Sequence, residues 1–371
     1  LRTLSTTGQI QSIVNDSFLN FTSTQLQSLT TAQIANLGTG TAGQISSLHL
    51  LVNNFSSSQV GALTSVQVGY LSDTAISGIS TGLLTSLAVN GLSTAQVALM
   101  NTTQIGALST TQVTSLNTTQ VSSLSSTLLR GLSTTQLQAL TTSGSSQVGA
   151  LTTGQLQALT TGSVASLLSA QIADLGTGQV AALTTAQVQN LTTDQVAALT
   201  TTGANQLASL TTNQVQALTT SQLGAVTSTK FASLTTGELQ ALTTAQVLGL
   251  TTDQVVALTT QQVQQGLTTA QVQSLLTEQV AALETADLTK LTTDQVQALT
   301  TAQVQALTTT QVPTLLTAQV AALKTSQVEA LETADLVKLT TDQVQALTTA
   351  QVVALTTAQM QIGRASCRER G

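Results

Sequence analysis

Leu291–Ala298 reads LTTDQVQA, and this eight-residue word recurs with small changes along most of the 371-residue chain. We number its positions 1 to 8 from the leucine. Position 1 is Leu, positions 2 and 3 are usually Thr, position 5 is Gln, position 6 is Val and position 8 is usually Ala. Such a fixed, short period is typical of repeat architectures, in which neighbouring units stack to bury a shared core. Twelve consecutive words without a slip begin at Leu267, Leu275, Leu283, Leu291, Leu299, Leu307, Leu315, Leu323, Leu331, Leu339, Leu347 and Leu355.

The word has the pattern of a helix N-terminus. Thr at position 2 suits the N-cap, and Gln at position 5 is then N3, which completes a capping box. Leu at position 1 and Val at position 6 are placed as the two halves of a hydrophobic staple. Asp294, at position 4, lies where the helix dipole favours an acid. We therefore expect capping and core roles for Leu291, Thr292, Gln295 and Val296, and for Leu299, Thr300, Gln303 and Val304 in the next word.

Some words lack Thr at position 2 but keep Thr at position 3. We expect the N-cap to move to position 3 in these words, which would remove the capping box. The residues at position 2 are Leu276, Glu284, Leu316, Lys324 and Glu332.

The repeat predicts an all-α fold, a solenoid or superhelix of very short helices. A new cap every eight residues leaves helices of about six residues, roughly 9 Å long, and such helices need neighbours to be stable. A β-solenoid is the alternative, because Thr and Val favour strands. Against it, Ala, Gln and Leu favour helix, and the word does not alternate with period two.

Three parts follow from the regularity of the repeat. Residues 1–91 carry diverged repeats, which we interpret as an end that caps the array or as older copies. Residues 92–361 form the regular array, in which Pro313 should end or bend one helix. Three words carry three extra residues, with Gly, between the Leu and the Gln, which predicts loops there. The stretch 362–371 contains IGRASCRER and resembles a translated sequencing adapter; we expect a fragment from environmental DNA whose native array continues past Gln361.

The composition disfavours several classes of protein. Charged residues make up 6% and aromatic residues 1% of the chain, and its net charge is −6. Nucleic-acid binding is not expected, since there is no basic patch and no aromatic platform. No apolar run approaches the length of a membrane span. The 41% of hydrophobic residues suits a narrow repeated core and exceeds what a disordered chain usually contains.

We predict no catalytic residue, cofactor or metal site, and hence no enzyme. His49 is the only histidine and has no cysteine or nearby acid beside it, so we interpret it as a surface or loop residue. Neither the calcium-binding nonapeptide nor an EF-hand loop occurs. Asp287 and Asp335 replace Gln at position 5 in two near-identical words, and we expect their carboxylates to serve as caps instead.

The words resemble the Thr- and Gln-rich short repeats of very long bacterial surface proteins and adhesins, over residues 21–361. This resemblance implies a non-catalytic spacer, stalk or adhesive array in a secreted or cell-surface protein, with cell-surface, glycan or self-association partners. LTTDQV also looks like the helix-opening LTPEQV of TAL-effector repeats, but the paired base-reading residues are missing. Two alternatives remain: an ice- or polysaccharide-binding solenoid that uses a ladder of aligned Thr, and a protein-binding scaffold.

Overall fold

The computed structural model describes residues 9, 11–13, 20–39, 43–203 and 205–361. Regular secondary structure in these residues is helical throughout, with no strand. The predicted all-α solenoid of short helices is therefore confirmed, and the β-solenoid alternative is wrong for these residues. The helices group into two compact units, Leu1–Asn190 and Leu191–Gly371. This division falls well inside the regular array rather than at residue 91, where the repeat changes from diverged to regular.

The first unit consists of short α-helices joined by one or a few extended residues. Two 3-10 helices, Ser46–Asn54 and Val89–Gly91, interrupt its diverged part. Its α-helices are Ser23–Gln27, Thr31–Ala35, Ser57–Val60, Ser65–Gly69, Asp73–Gly78, Thr81–Leu84, Thr94–Ala98, Thr102–Ala107, Thr110–Ser115, Thr118–Ser123, Ser126–Arg130, Thr134–Ala139, Thr153–Ala158, Thr161–Ala165, Ser169–Ala173, Thr177–Ala182 and Thr185–Gln189.

The second unit repeats the same local structure. It also contains the 3-10 helices Leu207–Ser209 and Val312–Thr314 and a π-helical turn, Gln262–Gly266. Its α-helices are Thr193–Ala198, Thr212–Ala217, Thr220–Gly224, Ser228–Phe231, Thr236–Ala241, Thr244–Leu248, Thr252–Val256, Thr269–Ser274, Thr277–Ala282, Thr285–Leu288, Thr293–Ala298, Thr301–Gln305, Thr317–Ala322, Thr325–Ala330, Thr333–Leu336, Thr341–Ala346 and Thr349–Val353.

The word Leu291–Ala298 shows why each helix begins and ends where it does. Thr292 has extended backbone angles and is the N-cap, and its Oγ1 accepts a hydrogen bond from Gln295 N at 3.2 Å. The helix Thr293–Ala298 then ends at Leu299, whose backbone is extended again (ψ 140°) while its N–H still donates to Val296 O. Position 1 therefore closes one helix and precedes the next N-cap, which fixes the period at eight.

The N-cap stays at position 2 even where Thr is missing. Leu276, Leu316 and Lys324 have the extended backbone of an N-cap, and their side chains make no capping bond. Thr277, at position 3, is already the first residue of its helix. The expected shift of the cap to position 3 is therefore wrong, because the backbone reverses at the Leu of position 1 and leaves one residue for the cap.

The helices of each unit follow a superhelical path. In the first unit Thr153–Ala158 packs on Thr177–Ala182, and in the second Thr269–Ser274 packs on Thr293–Ala298, in each case three words further along the chain. The Leu of position 1 and the Val, Leu or Ile of position 6 are buried through most of both units and form a narrow aliphatic core. Burial of these two side chains per word supplies the hydrophobic stabilisation that a six-residue helix lacks.

Irregular words are absorbed locally. Thr141–Ser146 and the corresponding stretch after Thr200 form the predicted loops, with Gly144 and Gly203 in the left-handed region (φ +70° and +75°), which other residues rarely adopt. The nine-residue word before Leu267 takes up its extra residue as the π-helical turn. Around Pro313 the α-helix is replaced by turns and the 3-10 helix Val312–Thr314, as the proline predicts.

Several sequence predictions fall outside the described residues. The segment 362–371 with the adapter-like IGRASCRER is one. His49 lies in the 3-10 helix Ser46–Asn54, but its side chain is not among those described.

Candidate functional site

The most regular chemical feature of the structure is a buried side-chain amide at position 5. Gln295 is only 3% exposed. Its Oε1 accepts a hydrogen bond from the N–H of its own N-cap, Thr292, at 2.8 Å. Its Nε2 donates in the opposite direction, to Leu267 O at 2.6 Å and to Val263 O at 3.0 Å. One side chain therefore joins the start of its own helix to the end of a helix in the preceding superhelical turn; we call this a glutamine bridge.

The bridge recurs in other words, at offsets of 28 and 31 residues through most of the regular array and at other offsets where words differ in length. Gln303 donates to Leu275 O at 2.6 Å and Val272 O at 3.0 Å, which lie 28 and 31 residues earlier. Those carbonyls belong to the last turn of a helix, where four carbonyl groups have no partner within the helix. The bridge gives the Leu275 carbonyl a donor and adds a second donor to the Val272 carbonyl, which also accepts from Leu275 N. The same pair of bonds is made by Gln59, Gln112, Gln120, Gln147, Gln187, Gln246, Gln254, Gln319, Gln327, Gln343 and Gln351.

Words with a three-residue insertion keep the bridge. Gln147 Oε1 accepts from Thr141 N at 3.0 Å across the six-residue loop, and its Nε2 still donates to Leu116 O at 2.6 Å. Gln206 Oε1 accepts from Thr200 N at 2.8 Å in the same way. The hydrogen bond between Thr141 N and Gln147 Oε1 holds the two ends of the loop together. The inserted residues lie between these ends, so they leave the register of the core unchanged.

The eight residues singled out in the sequence occupy two kinds of place. Leu291, Leu299, Val296 and Val304 are buried in the core. Thr292 and Thr300 are N-caps with a complete capping box, whose other halves are Gln295 and Gln303.

The bond from Nε2 to the preceding turn was not expected from the sequence. A signal for it exists within the chain. Gln279, Gln319 and Gln327 are retained in words whose position 2 is Leu or Lys, where no side chain completes a capping box. In these words Gln279 Oε1 still accepts from Leu276 N at 2.7 Å, and its Nε2 donates to Leu250 O of the preceding turn at 2.7 Å.

Lys230 and Glu238 replace Gln in two consecutive words. Lys230 preserves the link between turns, because its Nζ donates to Ala197 O at 2.5 Å and Leu199 O at 2.9 Å. Glu238 preserves the cap, because its Oε2 accepts from Thr235 N at 2.6 Å, whereas its Oε1 is buried without a hydrogen-bond partner. Burial raises the pKa of Glu238, and its hydrogen bonds with Thr235 only partly oppose this.

Asp287 and Asp335 do not cap in the expected way. Asp is one methylene shorter than Gln, and no hydrogen bond joins the Asp287 carboxylate to the N–H of its N-cap, Glu284; its Oδ2 is buried without a partner. Burial, and secondarily the charge of Glu284, raise the pKa of Asp287 to about 6. The pKa of Asp335 is raised for the same two reasons, with Glu332 as the neighbouring acid.

The threonines at positions 2 and 3 of a word have different environments. Thr292 uses its hydroxyl as a cap, and Thr293 is exposed at the first helical position.

Within the described part of the chain, no group of three or more His, Cys, Asp or Glu side chains is placed to hold a metal ion. The same residues include no helix long and apolar enough to cross a membrane.

Comparison with known protein families identifies the repeat in part of the chain. Four segments match the ALTTAQ repeat. They are residues 164–201, 231–265, 280–317 and 328–361, which together make up less than half of the chain. The match supports a repeat protein. No curated protein matches the chain.

Proposed function

We propose that this chain is a non-catalytic structural segment, a spacer or stalk, in a secreted or cell-surface bacterial protein. The observation that carries the proposal is the glutamine bridge. Each bridge ties a word to the preceding superhelical turn through buried hydrogen bonds, and it recurs where other positions of the word vary. The repeated residues thus serve the cohesion of the array, which is the property that a load-carrying spacer requires.

The surface composition agrees with this role. Positions 2, 3, 4 and 7 of the regular words are mostly exposed Thr, Ala, Gln and Ser, which are small or uncharged. Placement at the cell surface is supported by the likeness of the words to the Thr- and Gln-rich repeats of large bacterial surface proteins. At the cell surface, the partners of the chain would be surface glycans or other copies of the chain.

Single-molecule force spectroscopy of the full chain tests the mechanical part. We expect the chain to resist extension and then to lengthen in repeated steps, because every bridge must break before its word can leave the array. Lengthening like an unfolded polypeptide, without steps, would contradict the role of a spacer.

Antibody labelling tests the location. Antibodies against this chain should label intact cells of the source organism without permeabilisation. Labelling that appears only after lysis would refute surface exposure, while leaving the mechanical result unaffected.

A further inference from the structure

In Glu238 one carboxyl oxygen caps the helix and the other is buried without a hydrogen-bond partner. An ionised carboxylate is not expected in this arrangement, because its second oxygen would carry negative charge away from water. Like Gln, Glu238 caps its own helix, with Oε2 bonded to Thr235 N at 2.6 Å and its own N–H bonded to Thr235 Oγ1 at 3.2 Å. Its Oε1 is buried and has no hydrogen-bond partner. In every glutamine bridge the atom at this place is a nitrogen that donates.

The register of the repeat identifies what Oε1 faces. Gln246, one word later, donates to Leu218 O at 2.7 Å and Val215 O at 2.8 Å, which are 28 and 31 residues earlier. The same offsets from Glu238 lead to Leu210 O and Leu207 O. Both are carbonyl oxygens and can only accept. An ionised Glu238 would therefore place a third acceptor against two others, away from water.

Nothing nearby supplies a compensating positive charge. Among the described residues, the elements packed on the helix of Glu238 are Thr212–Ala217 and Gln262–Gly266, and neither contains a charged residue. The stretch Leu207–Leu210, which supplies the two carbonyls, contains none either. Lys230, in the preceding word, already donates to Ala197 O and Leu199 O. A single proton on Oε1 resolves the conflict, since the resulting O–H is a donor of almost the same shape as the amide of Gln.

We propose that Glu238 is a neutral carboxylic acid in the folded chain and that its proton forms the bond to the preceding superhelical turn. The array then contains one bridge that depends on pH. Burial raises the pKa of Glu238, in the direction that this arrangement requires. Because the folded chain holds the proton more tightly than the unfolded chain, the stabilisation is complete in acid below the ordinary Glu pKa. It is lost as the pH rises through the raised pKa of the folded state.

The consequence is a local change in cohesion. In acid, the words around Leu207 and Glu238 are joined as firmly as elsewhere. At higher pH the ionised side chain must move towards water or leave a buried charge, so this bridge opens while the glutamine bridges on either side remain closed. The device is independent of the proposed spacer role.

The substitution Glu238→Gln in the full chain tests the proposal, with Glu278→Gln as the matched control. Glu278 is an exposed residue at position 4, so its substitution changes the charge equally without touching a bridge. Urea unfolding, followed by far-UV circular dichroism over a range of pH, compares the three proteins. We expect wild type and E238Q to unfold at the same urea concentration in acid, and E238Q to become the more stable of the two as the pH rises. E278Q should follow wild type. Parallel profiles for wild type and E238Q would overturn the proposal.

A direct measurement separates protonation from stability. With 13C-labelled glutamate, the side-chain carboxyl signal that is absent in E238Q belongs to Glu238. This signal should titrate at a higher pH in the folded chain than in the urea-unfolded chain. Titration at the same pH or lower in the folded chain would refute a neutral Glu238 whatever the unfolding data show.

Discussion

Replacement of Gln295 by Ala removes a complete glutamine bridge. The substitution takes away the acceptor for Thr292 N–H at 2.8 Å and the donor for Leu267 O at 2.6 Å and Val263 O at 3.0 Å. The two contacts with carbonyl oxygens are buried, and the contact with Thr292 N is partly buried. The lesion therefore leaves three polar groups without their partners.

The magnitude follows from the cost of unpaired buried groups. Each such group costs about 1–3 kcal/mol, and water that enters the vacated space will recover part of this. We expect Gln295→Ala to destabilise its word by about 3–5 kcal/mol, which corresponds to roughly a hundredfold to several thousandfold more frequent local opening.

Native-state hydrogen exchange is the appropriate assay, since a long repeat array need not unfold in one step. Peptides that span Leu288–Leu299 report the free energy of local opening with mass-spectrometric detection. Gln297→Ala is the matched control, because Gln297 is exposed at position 7 of the same helix and surface substitutions usually change stability by no more than about 0.5 kcal/mol. Equal protection in the two variants would refute the bridging role of Gln295.

Three further substitutions separate the contributions within a word. Thr292→Ala removes only the hydroxyl that accepts from Gln295 N and should cost about 1 kcal/mol by the same exchange assay; a loss as large as that of Gln295→Ala would contradict this division. Val296→Ala removes two buried methyl groups and should cost about 2 kcal/mol, whereas an unchanged exchange rate would show that the site is not packed. Asp287→Asn concerns pH: because the pKa of Asp287 is raised from 3.8 to about 6, its stabilisation is present below pH 3.8 and lost as the pH rises through about 6. Wild type should lose more stability than D287N across this interval in urea unfolding, because D287N retains Asp335 and Glu238 but lacks the Asp287 carboxylate. Parallel pH profiles would show that Asp287 is not strained when ionised.

Local structure was predictable from the sequence because the signals are local. Thr292, Gln295, Leu291 and Val296 stand at the spacings of a capping box and a staple, and the helix begins and ends where these spacings place it. The position of the cap in words without Thr was predicted wrongly, and so was capping by Asp287 and Asp335. In the words without Thr, the reversal at the preceding Leu, rather than the cap residue itself, decides where the helix starts.

The glutamine bridge was not predictable in the same way, since it depends on the pitch of the superhelix. The partner of Gln295 Nε2 lies 28 residues earlier, and no local pattern gives the number of words in a superhelical turn. The error at Asp287 has a different cause: its side chain is one methylene shorter than that of Gln and makes no bond to the N–H of Glu284. The retention of Gln beside Leu276 and Leu316 was the available clue to the bridge.

Side-chain amide exchange tests the bridge most directly. In the full chain labelled with 15N-glutamine, the NH2 groups of position 5 should exchange slowly with D2O, because they are buried and donate to carbonyls of the preceding turn. Those of position 7, such as Gln297, should exchange at the rate of free glutamine. Two well-separated classes are the predicted result. A single fast class in a chain that remains helical by circular dichroism would contradict the account, since it would show that the turns are held together without the glutamine bridges.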